Sequence, residues 1–492
     1  MSMLRRIVLI GGAGVLGAAG LALVQIRVGS LFGVSGQLDA FFVGAALPSV
    51  LLAIGAASIS SLVVPRLPRS DPDEMAAVAG RMAIRATLIG IFTAAAVVVA
   101  APLIVRLVGP GLESDVLSQA ADVLRIYALS IPGTAAAFVY ASYGYANGRV
   151  WASGLSIGTY ALVWLGLLFV PALSDDVESA TLAGLIATGV QVAAAYLFSS
   201  AGGPRPRPRF DHLRVGRTGL AAIAAVLAAT VAARAGLLLD PLFGSLLPEG
   251  SVSLLAYAAR IAALAIFVCG QGAAFSLLVV GGEAASERAA GESRVGLVAP
   301  LLLATSAAVV LVVCGPQLSE LILARGELSA ADAREVGELL RIWAIAVVPF
   351  TLIWALEALL YASQRVRAVL DRALIALAVN AAASGLLVAA IGIEGRPLGV
   401  LCGVAVQLGL LVALFWEDAR FAALKTGSIL RMALLHAVAV AAASTLIFVA
   451  LRQAGSADLG AIAAIAVAGA ISLAFVRSYQ ARQLPASGGS LG

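Results

Sequence analysis

Fourteen apolar stretches follow one another along this chain, and each is long enough to cross a lipid bilayer as a helix. A membrane span needs about 20 apolar residues. Because 61% of the 492 residues are hydrophobic and 12% are charged, a soluble fold could not bury so much apolar surface. The sequence therefore predicts an all-α polytopic membrane protein with 14 transmembrane helices. The predicted spans are residues 7–33, 40–63, 82–108, 121–146, 150–172, 179–200, 218–239, 251–280, 296–323, 337–362, 367–391, 397–416, 429–451 and 458–476.

The loops between these spans alternate in charge. Most basic residues fall in the loops of one side, whereas the loops of the other side hold only Arg325, Arg334, Arg396 and Arg452. Membrane proteins accumulate Lys and Arg in their cytoplasmic loops. The pattern predicts that both termini lie in the cytoplasm.

Residues 121–150 and 337–366 are two versions of one segment, separated by a constant 216 positions. The segment Leu124–Ala128, with the sequence LRIYA, returns as Leu340–Ala344, with the sequence LRIWA. Parallel repeats of this kind build transporters that rock one half against the other around a central site. We expect two six-helix lobes followed by two helices that have no repeat partner, although a duplication without transport would leave the same pattern.

The repeat and the loops divide the chain into six segments. One of them contains an alternation of Pro and Arg from Pro204 to Arg209, which favours an extended chain near anionic headgroups. The segments are an N-lobe with helices 1–6 (residues 1–202), a basic cytoplasmic linker (203–217), a C-lobe with helices 7–12 (218–416), a cytoplasmic connector (417–428), helices 13 and 14 (429–476) and a cytoplasmic tail (477–492).

The sequence contains no set of residues typical of an enzyme or of a metal site. The cysteines Cys269, Cys314 and Cys402 all fall within apolar stretches, and the two histidines, His212 and His436, are far apart. A nucleotide-binding Walker motif is missing, and so is a nucleophile with a base at usable spacing. We therefore expect no enzyme activity, no metal and no cofactor. Transport would draw on an ion gradient, the membrane potential or the gradient of the substrate.

Arg260 is the strongest candidate for a substrate-binding residue, because it lies well inside the eighth predicted span. An ionisable group at such depth costs roughly 2.5–3.5 kcal/mol to insert, so it needs a partner or a wet cavity. A guanidinium binds phosphoryl oxygens in a bidentate manner, which suits a pyrophosphate. A structural ion pair with a neighbouring helix is the alternative. Arg234, nearer the outer end of the seventh span, is a second substrate-binding candidate unless it snorkels to the headgroups.

Two aspartates lie at the predicted external mouth, where Asp39 opens the second span and Asp240 closes the seventh. A lone Asp at the start of a helix is often a cap. As gating residues, the two aspartates would pair with Arg27 or Arg234 when the external side is closed. The alternative for Arg27 is that it reaches to the headgroups.

Glu357 lies near the predicted cytoplasmic end of the tenth span. A carboxylate within a span can take part in proton or ion coupling. The alternative is a bond to Arg149 or Arg365 at the cytoplasmic rim, and this is the interpretation that the sequence favours.

Several stretches resemble one known family, the lipid II flippases of the MviN/MurJ type in the multidrug/oligosaccharidyl-lipid/polysaccharide flippase superfamily. The resemblance implies a fourteen-span fold with two unpaired final helices and lipid II as cargo. It also places Arg260 at the position of that family's arginine in helix 8. The stretches that carry the resemblance are Phe32–Ser35 (FGVS), Leu38–Val43 (LDAFFV), Leu237–Asp240 (LLLD), Gly250–Ser253 (GSVS), Tyr257–Arg260 (YAAR), Ala324–Ser329 (ARGELS) and Leu360–Gln364 (LYASQ).

The chain departs from the family pattern in its first lobe. The family's Arg-Asp pair late in helix 1 falls on Val24 and Gln25, and its charged positions in helix 2 fall on apolar residues such as Ala46 and Ala57. Either the substrate contacts have moved to the second lobe, or the substrate differs, or transport has been lost.

The resemblance implies a flippase that moves a lipid-linked cell-wall precursor, lipid II, from the cytoplasmic to the external leaflet of a bacterial cell membrane during peptidoglycan biosynthesis. Its partners would be the lipid-linked oligosaccharide, membrane lipids and cell-wall synthesis proteins, but not nucleic acid. One alternative is a flippase for another undecaprenyl-linked glycan or a related antiporter. The other is a non-transporting membrane scaffold for cell-wall assembly.

Overall fold

All regular secondary structure in the described part of the chain is helical, which confirms the predicted all-α membrane fold. The computed structural model describes residues 3–63, 71–149, 151–207, 228–280, 287–363, 365–417, 427–453 and 457–483. The predicted linker beyond residue 207, the first part of the seventh predicted span, most of the predicted connector and the tail from residue 484 lie outside the described residues.

Each predicted span coincides with a helix, or with a pair of helices, in these residues. The helices are α1 (Met3–Phe32), α2 (Gly36–Val63), α3 (Pro72–Val108), α4 (Ser114–Ala128), α5 (Ile131–Ala146), α6 (Ala152–Leu167), α7 (Val177–Ser200), α8 (residues 228–234), α9 (Leu239–Gly244), α10 (Ser251–Val280), α11 (Glu287–Leu323), α12 (Ala330–Ala362), α13 (Val366–Ile391), α14 (Gly395–Glu417), α15 (Gly427–Gln453) and α16 (Ala457–Gln483).

The fourth predicted span is broken into α4 and α5, whose axes differ in direction by 41°. Pro132 lies at the start of α5, where it has no N–H to donate and its ring excludes the carbonyl four residues earlier. The repeat-related α12 continues through Pro349 without a break. By length and composition, eight stretches of the described residues can cross a membrane, or nine when α4 and α5 count as one span. One of the eight, residues 366–415, contains α13 and all but the last two residues of α14.

Helices α1 to α7 pack with one another as the N-lobe. Helix α1 contacts α6, α2 contacts α4 and α5, and α7 contacts α5 and α6. Small residues allow close approach, as where Gly184 of α7 faces the ring of Trp164 in α6. The indole of Trp164 donates to the Ala180 carbonyl at 2.9 Å, so this polar atom is satisfied inside the bundle.

Helices α10 to α14 form the corresponding C-lobe. Helix α12 contacts α10, α11 and α14, and α13 pairs with α14 as an antiparallel hairpin. Along α14, a Cβ on Gly399 would lie 2.6 Å from the Cα of Ser384 in α13. Glycine at this position therefore permits a helix–helix distance that no other residue would.

The last two helices, α15 and α16, pack on each other and on α11. Their contact with α11 is mainly apolar and includes Cys314 and Leu318 of α11, Phe448 of α15 and Ala464 of α16. Cys314 is buried there, as expected for a small apolar residue.

Candidate functional site

The two lobes meet where α2 and α10 begin, at the end of the bundle that is predicted to be external. The Asp39 carboxylate of α2 accepts hydrogen bonds from the Gly250 N–H at 2.8 Å, from the Ser253 N–H at 2.8 Å and from the Ser253 hydroxyl. Asp39 is 1% exposed. The first N–H groups of a helix have no partner within it, and a carboxylate is favoured at that end by the helix dipole. Asp39 therefore caps α10 of the other lobe.

The reverse contact is also present. Glu249, immediately before Gly250, accepts a hydrogen bond at 2.7 Å from the N–H of Gly36, the first residue of α2. Each lobe thus supplies a carboxylate that caps the first turn of a helix in the other lobe. We call the contacts of Gly36, Asp39, Glu249, Gly250 and Ser253 the lobe seam.

Gly250 has a structural reason to be glycine within the seam. Its φ is +88°, in the left-handed region that favours glycine. This conformation turns its N–H towards Asp39 just before α10 begins. A second connection lies nearby, where the Glu327 N–H donates to the Ser30 carbonyl at 3.0 Å.

Arg260 of α10 lies along the boundary between the lobes. Its guanidinium donates to the side-chain oxygen of Gln25 in α1, and its Cζ lies 4.4 Å from the centroid of the Phe42 ring in α2. The Tyr257 hydroxyl donates to the Gln25 carbonyl at 3.2 Å. No ion pair joins Arg260 to a carboxylate among the described residues. The cation is positioned by an amide and by the Phe42 ring, and no carboxylate in the described part of the chain neutralises its charge.

Further polar side chains extend from Arg260 into the N-lobe. Tyr127 lies close enough to interact electrostatically with Arg260, and its hydroxyl lies beside the side chains of Ser49 and Tyr160. Tyr127 belongs to the repeated LRIYA segment, whose counterpart in the C-lobe is Trp343. The hydroxyl thus distinguishes the N-lobe copy and adds a hydrogen-bonding group beside Arg260.

Arg234 and Glu357 lie together inside the C-lobe. The Arg234 guanidinium stacks on Trp354 with Cζ 4.8 Å from the ring centroid, and Arg234 interacts electrostatically with Glu357. Glu357 is 7% exposed and accepts a hydrogen bond at 3.0 Å from Gln407 of α14. The Glu357 carboxylate thus contacts Gln407 and lies near Arg234, whereas the sequence favoured a bond to Arg149 or Arg365 at the cytoplasmic rim.

Asp240 pairs with Arg396, not with the predicted Arg27 or Arg234. The Arg396 Nη2 lies 2.7 Å from the Asp240 carboxylate, and Arg396 is buried. The guanidinium also donates to Asn380 Oδ1 at 2.7 Å and to Ser384 Oγ at 2.9 Å. Arg396 was predicted to be an external loop residue, but it lies in the first turn of α14. Burial in that turn could not be inferred from charge alone.

Arg27 contacts its own lobe. Its guanidinium lies 4.7 Å from the centroid of the Phe169 ring and 3.5 Å from the Leu168 carbonyl. Among the predicted gating residues, only Asp39 therefore makes a hydrogen bond that joins the two lobes. Sequence reasoning missed Glu249, although its position directly before the GSVS stretch is the signal that would have found it.

A buried polar group also connects α11, α15 and α16. His436 of α15 has its Nε2 2.9 Å from the hydroxyl of Ser306 and 3.0 Å from the Leu302 carbonyl, both in α11. The Ser306 hydroxyl also contacts that of Ser472 in α16. Hydrogen bonds between helices of this kind fix helix packing within a membrane, so the bonds of His436 Nε2 give this residue a structural role.

The comparisons with known proteins agree with this architecture. A family model described as lipid II flippase MurJ matches residues 28–463. A solved structure of a lipid II flippase MurJ in an inward closed conformation is 16% identical with a TM-score of 0.74, covering 96% of this chain and 99% of that one. A transporter of the MOP superfamily from Pyrococcus furiosus is 16% identical with a TM-score of 0.69, covering 87% and 97%. An inward-facing multidrug resistance MATE transporter is also 16% identical, with a TM-score of 0.67, covering 87% and 100%. No curated protein sequence matches the chain.

Proposed function

Because the chain belongs to the lipid II flippase MurJ family, we propose that it moves lipid II from the cytoplasmic to the external leaflet of a bacterial plasma membrane. In this account residues 1–202 and 218–416 are the moving lobes, both termini are cytoplasmic, and cell-wall synthesis proteins receive the cargo. The observation that carries the proposal is Arg260, a cation at the lobe boundary without a carboxylate partner among the described residues.

Arg260 is suited to the pyrophosphate of a lipid-linked sugar. A guanidinium offers five donors in a planar fork, and within the described ranges Arg260 donates to one protein acceptor, Gln25. An amide is a neutral partner that an anionic ligand can displace at lower cost than it could displace a carboxylate. Gln25 therefore orients Arg260 without competing strongly for its charge.

The lobe seam supports transport by alternating access. Hydrogen bonds to charged groups contribute about 1.5–3 kcal/mol each, and the seam contains three to Asp39 and one to Glu249. They hold the predicted external side closed while cargo reaches Arg260 from the cytoplasmic side. When the seam opens, these hydrogen bonds are replaced by hydrogen bonds to water. Substrate binding can therefore shift the equilibrium between the closed and the open seam.

Arg234 and Glu357 provide the candidate coupling site. Transport against a gradient requires a group that binds a proton or an ion with different affinity in the two states of the protein. A buried carboxylate beside an arginine, with Gln407 as its hydrogen-bond donor, can exchange a proton or a cation as the lobe moves. Replacement of Glu357 by Gln should then retain lipid II binding but lower the rate of transport.

A complementation assay with direct measurement of lipid II in each leaflet tests the proposal. Arg260→Ala should abolish appearance of lipid II in the external leaflet while the amount of protein in the membrane stays unchanged. Arg106→Ala is the matched control, since Arg106 is an exposed arginine near the end of α3. Normal lipid II transport by Arg260→Ala would overturn the proposed role of Arg260.

The loss of charge at Val24 and Gln25 favours a second candidate, a flippase for a different undecaprenyl-linked glycan. The same assay distinguishes the two candidates when other lipid-linked precursors are measured beside lipid II. If depletion of the protein causes no precursor to accumulate in the inner leaflet, a non-transporting scaffold is the remaining explanation.

A further inference from the structure

A polar cavity of about 660 Å³ lies where α11 and α12 meet the C-terminal pair α15 and α16. It is separate from the lobe seam and from Arg260, and it opens at the end of the bundle that is predicted to be external. Its volume is within the range of small-molecule sites, about 300–1,000 Å³. The cavity has no part in the transport cycle proposed above.

Charged side chains of both signs line this cavity. Arg334 of α12 binds Glu320 of α11 at 2.7 Å, and Arg341 binds Glu338 one turn away at 3.0 Å. Asp458, at the start of α16, is a third acid in the lining. With three carboxylates and two guanidiniums, the lining carries an excess of one negative charge.

An unsatisfied acceptor lies in the wall of the same cavity. Gln317 of α11 lines it, and its side-chain oxygen is buried without a hydrogen-bond donor in the part of the chain that the structure describes. A buried acceptor without a donor costs about 1–3 kcal/mol. A ligand that donates an N–H would recover that energy once the Gln317 amide turns its oxygen into the cavity.

The cavity borders lipid-facing surface. Phe448 forms part of its wall, and nearby side chains of α15 and α16 are strongly exposed on the outside of the bundle, Leu446 by 70% and Leu459 by 60%. Exposed leucines on a membrane helix face acyl chains. A ligand with a polar head in the cavity could therefore lay its apolar part along these helices.

We propose that this cavity binds the headgroup of a phospholipid that carries a primary amine, as in phosphatidylethanolamine. The phosphate contacts the guanidiniums of Arg334 and Arg341. The ammonium lies between Asp458 and Gln317 and donates to both. Such a lipid would join the C-terminal pair to the C-lobe at the membrane surface.

The charges of the site predict its selectivity. A choline headgroup has no N–H, so it leaves the Gln317 oxygen without a donor. Phosphatidylglycerol adds a net negative charge to a lining that already has an excess of carboxylates. We therefore expect phosphatidylethanolamine to bind about tenfold more tightly than either competitor, a difference of about 1.4 kcal/mol.

Native mass spectrometry of the full chain in detergent tests this, with titration of dioleoyl phosphatidylethanolamine, phosphatidylcholine or phosphatidylglycerol. Gln317→Leu should weaken phosphatidylethanolamine binding about tenfold and leave phosphatidylcholine binding unchanged. Asp458→Asn should weaken phosphatidylethanolamine binding about tenfold and should also weaken phosphatidylcholine binding, because choline carries the same positive charge. Glu335→Gln is the matched control, because Glu335 is an exposed acid on α12 that does not line the cavity. It should have no effect.

Gln317→Glu keeps the proposal testable if Gln317→Leu does not fold. The added carboxylate should preserve or strengthen phosphatidylethanolamine binding and weaken phosphatidylglycerol binding further. Equal affinity for all three lipids, tighter binding of phosphatidylglycerol, or the same loss in Glu335→Gln as in Asp458→Asn would overturn the proposal.

Discussion

Individual charged residues in this protein differ in whether another charge neutralises them. Arg396 is enclosed by Asp240, Asn380 and Ser384 and is 1% exposed. Arg260 has an amide and an aromatic ring as partners. Charges within a membrane protein either pair or line a wet cavity. The first arrangement predicts a structural role for Arg396, and the second predicts a ligand-binding role for Arg260.

Asp240→Ala should lower stability strongly, because it leaves the Arg396 guanidinium buried without its counter-charge. Removal of one member of a buried ion pair typically costs about 3–5 kcal/mol. Thermal unfolding in detergent should show a large decrease in the midpoint, whereas Glu113→Ala should change it little. Glu113 is an exposed acid that precedes α4 and makes no side-chain capping bond. Equal effects of the two substitutions would contradict the structural role of the pair.

Asp39→Asn should open the lobe seam more often, because an amide caps α10 without the favourable charge. Loss of one charge-assisted hydrogen bond, about 1.5–3 kcal/mol, shifts a two-state equilibrium at least about tenfold. A cysteine introduced by Leu254→Cys, where the native side chain is 7% exposed, should react faster with an impermeant maleimide added from outside. Asp332→Asn, which alters a cap within the C-lobe, should leave that rate unchanged.

At the scale of elements, close helix contacts hold each lobe together. Helices α13 and α14 approach at Gly399, where an added Cβ would meet the backbone of Ser384. Further along α14, nothing lies within 4 Å of the position where a Cβ on Gly409 would be. Helix packing thus requires a glycine at position 399 of α14, whereas it leaves space for a larger residue at position 409.

Gly399→Ala should destabilise the protein by about 1–3 kcal/mol, as overpacking does. Gly409→Ala should be neutral or slightly stabilising, since alanine is the better helix former by about 1 kcal/mol. Thermal unfolding of the two variants side by side measures the difference. If Gly399→Ala is as stable as Gly409→Ala, the hairpin does not depend on this approach.

At the scale of the whole molecule, the spans could be predicted from apolar windows, because a helix that faces lipid must be apolar. The two lobes could be predicted from the internal repeat. Asp39 was predicted at the external mouth because it begins a helix at a loop, but its partners were expected to be Arg27 or Arg234 and are instead Gly250 and Ser253. The partner of Asp240 was not predicted either, because pairing with Arg396 depends on how α14 packs beside α9. Glu249 was also missed, since its role depends on the start of α2 in the other lobe. Contacts between distant helices are the part that sequence patterns do not specify.

Alternating access is the central claim, and locking the lobe seam tests it most directly. Gly36→Cys and Glu249→Cys, in a background without Cys269, Cys314 and Cys402, place thiols on residues that are joined by a 2.7 Å hydrogen bond. Asp122→Cys with Arg125→Cys, an ion pair within α4, is the control for the crosslinking reagent.

The measurement is the amount of lipid II that reaches the external leaflet before crosslinking, after crosslinking and after reduction. We predict that transport stops when the seam is crosslinked, returns when the link is reduced, and is unaffected by the control pair. Transport that continues at the normal rate with the seam fully crosslinked would contradict the account.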